Sequence, residues 1–362
     1  METVAVAGRI RGALWGLFVG DALAMPVHWY YDTAALRRDY GVVRDFAAPH
    51  REHPGAIMSL ASTGRAGRGT QEGEVVGSVI LKGRKHLWCE PNIHYHHGLR
   101  AGDNTLNLLC ARILLRSLVV NGRHDPAGFL RDYVAFMTEP DTHGDTYAES
   151  YHRDFFANFA RGLAPDRCAG AEGHDTASIG GLVSLPLVIL ATHADPGRAE
   201  AVLLAQLRLT HRSRQLERYA LALGRLLLRL VSADGIDADR MRTLACETAA
   251  ELGTPVASWV ERALAGELSD LEVIGRRLSP ACYIDQSFPA VLYLAARYAG
   301  DFEGALVANT NVGGDNCHRG AVLGAILGAA HGMGAIPPRW LAGLAERAAL
   351  ETEIEAFTAR FA

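Results

Sequence analysis

The chain has 362 residues, 49% hydrophobic and 21% charged. That suffices for one large helical domain or two ordinary ones, and it excludes a disordered or fibrous protein. With 36 basic against 40 acidic residues and a formal net charge of -4, it has no basic footprint for nucleic acid, and no Lys/Arg run marks a membrane surface.

Six cysteines, Cys89, Cys110, Cys168, Cys246, Cys282 and Cys317, lack CxxC spacing. They argue against a zinc ribbon and a disulfide scaffold. The first ten residues do not read as a signal peptide, and the apolar stretch from Ala321 to Gly334 is short of the roughly 20 residues needed to span a bilayer. A cytoplasmic protein with no nucleic-acid or membrane partner is expected.

Helical periodicity dominates the chain. Gly8, Gly12, Gly16 and Gly20 recur every fourth residue in a first helix. Residues 35–100, rich in Gly, His and Pro, read as a loop-rich insertion, within which Gly73 to Gly83 suits a short hairpin or a loop excursion. Leu106, Leu109, Cys110, Ile113, Leu114 and Leu118 then share one helical face, and Asn121-Gly122 is a stop signal. Further helices are expected near 127–137, 147–162 and 198–209. Leu216 to Val231 is apolar nearly all round, broken by Arg218, Arg225 and Arg229, and reads as a deeply buried helix. Helices near 238–252, 256–266, 288–299, 303–309, 320–332 and 338–360 complete the set. With no linker and no internal repeat, the expectation is a single all-α domain over residues 1–362, a multi-helix orthogonal bundle.

Near the end, Gly320, Gly324, Gly328 and Gly332 repeat the four-residue glycine spacing of the first helix. Each helical Gly costs about 1 kcal/mol relative to Ala. Close backbone approach between the two helices would offset that cost, and it would bring residues after Gly20 near residues before Gly320. Chemistry-bearing motifs sit at both places: Gly20-Asp21-Ala22-Leu23-Ala24-Met25-Pro26-Val27-His28-Trp29, and Asn311-Val312-Gly313-Gly314-Asp315-Asn316-Cys317-His318-Arg319-Gly320. A third, Gly102-Asp103-Asn104-Thr105, opens the helix at Leu106. Oxygen-bearing residues at helix N-termini are ordinarily caps. If the three segments converge, they also supply the ligands that hard cations take.

Together these motifs resemble the ADP-ribosylglycohydrolase (dinitrogenase-reductase-activating glycohydrolase-like) family. Gln286-Ser287-Phe288-Pro289-Ala290, Asp301-Phe302-Glu303-Gly304-Ala305-Leu306, Asn311 to Asp315 and Ala335-Ile336-Pro337-Pro338-Arg339-Trp340 follow its Ser-x-Pro-Ala, "DFEEAL", "NxGGDTDT" and "AIPxxW" elements in order. Thr210-His211 and Gly20-Asp21-Ala22-Leu23 match its Thr-His and "GDALG" elements. The resemblance spans nearly all of the chain outside about 35–100. It implies the family's helical fold and a metal-assisted hydrolase acting on a glycosidic bond of an ADP-ribosylated protein, a small-molecule ADP-ribosyl conjugate or a related ribosyl nucleotide.

This sequence departs from the pattern at the metal motifs. His28 stands where the family has a glutamate. Gly102-Asp103-Asn104-Thr105 replaces "TDDT", and in "GGDTDT" the second Asp and last Thr become Cys317 and His318. Asp103, Asn104, Asp315, Cys317 and His318 are the metal-ligand candidates. They suit one Mg2+ or Mn2+ rather than two, and the set also admits zinc or no ion. The alternative reading is an ADP-ribose-binding or structural protein with a degenerate, inactive site. In the hydrolase reading, Asp103 or Asp315 orients water, and His28 and His318 move a proton near neutral pH. Asp21, Asp145, Thr146, His174, Asp175, Ser178, Gly313, Gly314 and His318 are candidates for the substrate pocket. Asp145 and Thr146 read equally well as helix-start residues, with a capping box from Thr146 to Glu149. His94, His96 and His97 read as pocket-wall or surface histidines rather than ligands.

Overall fold

The computed structural model describes residues 6–56, 73–173 and 176–362. Among these the regular structure is helical, joined by two isolated β-bridges, Glu52–Ile93 and Ser178–Tyr283. The α-helices are α1 (Val6–Ala24), α2 (Thr33–Tyr40), α3 (Leu106–Asn121), α4 (Pro126–Thr138), α5 (Ser150–Ala160), α6 (Leu185–Thr192), α7 (Pro196–Arg208), α8 (Arg214–Val231), α9 (Ala238–Glu251), α10 (Val256–Leu264), the single turn α11 (Asp270–Glu272), α12 (Ile284–Arg297), α13 (Phe302–Asn311), α14 (Asn316–His331), α15 (Pro338–Gly343) and α16 (Arg347–Phe361).

At the centre, α1 and α14 are buried from Gly12 to Ala24 and from Asn316 to Ala330. Their glycine rows face one another. A Cβ on Gly12, Gly16 or Gly20 would strike the carbonyl oxygen of Gly328, Gly324 or Gly320, and the reverse substitutions would meet the carbonyls of α1. Only residues without a side chain let the backbones meet so closely. Arg9, itself buried, donates from its guanidinium to the Ala329 and Ala330 carbonyls, placing a cation on the negative end of α14. The segment Val6–Val27, which is α1 with the turn that follows it, is long and apolar enough by composition to cross a bilayer, but 94% of its apolar window is buried inside the protein.

Around this pair α12 packs against α14 on one side and α9 and α10 on the other, α6, α7 and α8 form a second group, and α16 lies over α3. One continuous cluster of buried side chains runs from Ile10 to Phe357. Helix α8 is amphipathic rather than apolar all round. Arg218, Arg225 and Arg229 are exposed, and the last two pair with Glu200, Glu251 and Glu247 of the neighbouring helices.

Two further expectations change. Gly73 to Gly83 contains a single helical turn, Val75–Val79, and no hairpin. The C-terminal helix is split at Leu344–Glu346, where the Ala345 N–H donates to the Gly102 carbonyl and docks the turn before α3. The loop-rich stretch starts at Gly41, after α2, and its described part is not peripheral: Ile93, His94, Tyr95 and His96 are buried.

Because the glycines serve contact rather than flexibility, Gly16→Ala and Gly324→Ala should each destabilise the protein by roughly 1–3 kcal/mol through overpacking. Helix propensity alone would stabilise them by about 1 kcal/mol. Urea unfolding of the two variants separates the signs.

Candidate active site

Pro26 ends α1 in a 3-10 turn, Met25–Val27, which sets His28 just beyond the helix. The next residues are stitched to the loop before α14 by a reciprocal pair: the Trp29 N–H donates to the Gly314 carbonyl and the Gly314 N–H to the Tyr30 carbonyl, both at 2.8 Å. Gly313 and Gly314 both have positive φ, 68° and 67°. A Cβ at either would collide with the Tyr30 or Pro280 carbonyl. Buried Arg319 braces the loop from behind, donating to Pro280 O, Gly313 O and Asn309 Oδ1. Trp29, a bulky residue in the left-handed region (φ 62°), is an unusual conformation of the kind held at functional sites. Its ring stacks on His28 with centroids 4.3 Å apart.

These restraints deliver a buried chain of side chains. Asp145 Oδ1 lies 2.8 Å from His96 Nδ1, His96 Nε2 lies 2.6 Å from His28 Nδ1, and His28 Nε2 lies 3.1 Å from Asp315 Oδ1. His318 Nδ1 approaches the same Asp315 oxygen at 2.8 Å and Glu149 Oε1 at 3.7 Å. His318 Nδ1 and Asp315 Oδ2 nonetheless have no hydrogen-bond partner. Every member is at most 6% exposed.

Burial pushes His28 down to about 3 despite Asp315 beside it. Burial also opposes charge on His318, but the carboxylates of Asp315 and Glu149 outweigh it and raise His318 to about 10. For Asp315, burial raises the carboxyl, and the charge of His318 with the neighbouring His28 reverses this, holding it well below the usual carboxylate range. In this arrangement the two shifts run in opposite directions, His28 downward and His318 upward.

Of the residues expected at the site, His28, Asp145, Asp315 and His318 come together. Cys317 joins them, its thiol pushed well above its ordinary value by burial and then by the charges of Asp21, Asp315 and Asp145. Asp103 does not converge with Asp315: it folds back on its own turn, accepting from the Arg100 N–H and guanidinium. Asn104 and Thr105 instead turn to Asp21, whose carboxylate accepts from Asn104 Nδ2, the Thr105 N–H and Thr105 Oγ1. Burial outweighs those three bonds and raises Asp21. Asp21 thus ties the start of α3 to α1.

The Thr146 hydroxyl donates to the Tyr95 carbonyl, and α5 begins at Ser150 without the capping box. Ser178 is buried in the bridge to Tyr283. Gly313 O and the N–H and C=O of Gly314 are already bonded to protein, so these glycines shape the loop and do not offer those groups to a ligand. His174 and Asp175 lie outside the described residues. The sequence reading missed His96 as part of the cluster, and also Glu149, which accepts from Asn107 Nδ2 at 2.5 Å. The first had a signal in His94-Tyr95-His96-His97. The second is an acid one turn beyond Asp145.

Two groups of atoms among the described residues are close enough to hold one ion: His28, Asp315 and His318; and His28, His96 and Cys317. In the second, the two imidazoles already share a 2.6 Å hydrogen bond and are too close to ligate one ion at about 2.1 Å with ordinary angles. The first contains the unpartnered atoms.

A family model described as ADP-ribosylglycohydrolase matches residues 2–362. The chain belongs to the ADP-ribosylglycohydrolase family. Among curated proteins, it is 26% identical over 345 residues to the ADP-ribosyl-[dinitrogen reductase] glycohydrolase of Rhodospirillum rubrum, covering 95% of this chain and 92% of that one. Among solved structures, one named as an ADP-ribosylglycohydrolase-related protein complex superposes with a TM-score of 0.64 at 23% identity over 99% of both chains, which shows the shared fold. Membership makes this ADP-ribosylglycohydrolase relative a hydrolase of glycosidic bonds in a metal-dependent family.

The two aspartates of the early motifs should separate on mutation. Asp21→Ala removes the acceptor for three donors, two of them buried, and should cost roughly 3 kcal/mol or more. Asp103→Asn, at an exposed pair, should cost at most about 1 kcal/mol. Thermal and urea unfolding check the difference.

Proposed function

We propose that the protein hydrolyses the glycosidic bond between an ADP-ribosyl group and its acceptor, assisted by one divalent cation held at Asp315. The observation that carries this reading is the buried Asp315 carboxylate with one oxygen unpartnered, at the start of α14, where the family motif places its metal loop. The donor set supports one ion rather than two. Asp21 and Asp145 are occupied by protein donors, and Asp103 is drawn to Arg100. Mg2+ and Mn2+ are the first ions to test.

When bound, a dication supplies a grip on the ribose diol and a polarising charge beside the reacting carbon. The residues do the rest. Asp315 holds negative charge at the site at every working pH, which favours an oxocarbenium-like transition state. Its neighbour His318 lies between Asp315 and Glu149 and braces both carboxylates. Asp145 and His96 fix the His28 ring. The acceptor is an ADP-ribosylated protein or a small ADP-ribosyl conjugate; the Rhodospirillum relative's name points to a protein acceptor, dinitrogen reductase.

Release of ADP-ribose from arginine- and serine-linked ADP-ribosyl peptides tests the reading. Hydrolysis that needs a divalent ion and falls by roughly 100-fold or more in Asp315→Asn is expected. Tight ADP-ribose binding without hydrolysis of any conjugate, with metal present, would overturn it in favour of a binding protein.

A further inference from the structure

The hydrogen-bond order along the buried chain constrains what can sit at its end. Asp145, as a carboxylate, only accepts. It takes the Nδ1–H of His96 at 2.8 Å and also the Leu106 N–H through its other oxygen. His96 Nε2 is then free to accept from His28 Nδ1, 2.6 Å away. With both rings neutral, His28 Nε2 carries a lone pair aimed at Asp315 Oδ1 3.1 Å away. Two lone pairs facing each other at that distance repel. A metal ion at that point satisfies both.

On the other side of Asp315 the same demand recurs. His318 Nδ1 stands 2.8 Å from Asp315 Oδ1 without hydrogen-bond geometry, and Asp315 Oδ2 has no partner. Ligands about 2.1 Å from one ion lie about 3.0–3.4 Å apart at angles of 90–109°. The observed 3.1 and 2.8 Å separations are close to that, so each imidazole nitrogen already approaches ligand spacing from Asp315, and the three residues offer ligand atoms within 4.8 Å of one another.

Resting on the reading that an ion binds at Asp315, we propose that the site is a mononuclear centre for a nitrogen-preferring transition dication, of which Zn2+ is the probe. His28 Nε2, Asp315 and His318 Nδ1 are its protein ligands, and Asp145 and His96 form a two-step relay that positions His28. Two imidazoles and one carboxylate suit Zn2+, Co2+ or Fe2+ over Mg2+, which takes oxygen ligands and keeps its water. Three protein donors leave a further coordination position for substrate or water. Asp145 and His96 are positioning residues: an imidazole ligand whose far nitrogen donates to a carboxylate-anchored acceptor is held in one tautomer and orientation.

The test is metal binding by the whole, ion-stripped protein, read without activity. Titration with Zn2+, Co2+ and Mg2+ should give one tight equivalent of Zn2+ or Co2+, with Mg2+ far weaker, and X-ray absorption of the zinc form should count two imidazole ligands. His28→Ala should reduce that count to one. Asp145→Asn, which spares the ligands, should weaken Zn2+ binding 10–100-fold, with the circular dichroism unchanged. Should His28→Ala fail to fold, the Asp145→Asn affinity and the zinc-dependent rise in melting temperature of the unaltered protein decide the matter. Equal or tighter Mg2+ binding, a zinc equivalent unaffected by Asp145→Asn, or an oxygen-only coordination shell would overturn the proposal. The two readings fail separately. Hydrolysis supported by Mg2+ alone removes this inference and leaves the proposed function standing, whereas a bound zinc with no hydrolysis does the reverse.

Discussion

The contact on which the site depends is between backbones. Three glycines of α1 lie against three of α14, and no side chain fits between them. Helix formation is disfavoured at every one of these positions, so the two helices depend on each other. The consequence is positional: with the axes locked together, His28 beyond the end of one and Asp315 at the start of the other are held within 3.1 Å. Arg9 at one end of the pair and Arg319 at the other, both buried, secure it through backbone carbonyls. The site is therefore built on the ends of two tightly packed helices, as tight positioning of reacting groups requires.

Where the family's opening motif carries a glutamate, this chain places His28, and neighbouring residues hold its ring. A carboxylate at residue 28 would face Asp315 with like charge, whereas His28 can present one nitrogen to Asp315 and the other to His96. The loop between α2 and α3 supplies that second ring, and Trp29, Tyr95 and Tyr147 pack edge to face with one another beside His28. The exchange of glutamate for histidine is thus accompanied by its own support: an acceptor ring, a buried carboxylate at Asp145, and a stacked indole.

Much of the architecture was legible because its signals are periodic. The two glycine rows announced their contact through spacing alone, and the helices followed from apolar periodicity. Asp315 was legible as a motif residue. Asp103 misled because an Asp before a helix looks the same whether it aims inward or caps its own turn. Its direction is set by Arg100 and by Asp21 claiming Asn104 and Thr105, contacts that sequence spacing does not encode. His96 and Glu149 lie in aperiodic or helix-start segments, where nothing local shows which side chains turn inward. The purpose of Gly313-Gly314 was also misjudged: the sequence suggests approach to a ligand, whereas the approach is to the Tyr30 and Pro280 carbonyls.

The central claim is that the ion belongs at Asp315, between His28 and His318, and not at the Asp103 turn. A crystal structure of the metal-loaded protein, with anomalous scattering recorded across the ion's absorption edge, tests it most directly. The account predicts one peak within bonding distance of Asp315 and both imidazoles. A peak beside Asp103 and Asn104, or a pair of ions bridged by carboxylates, would contradict it.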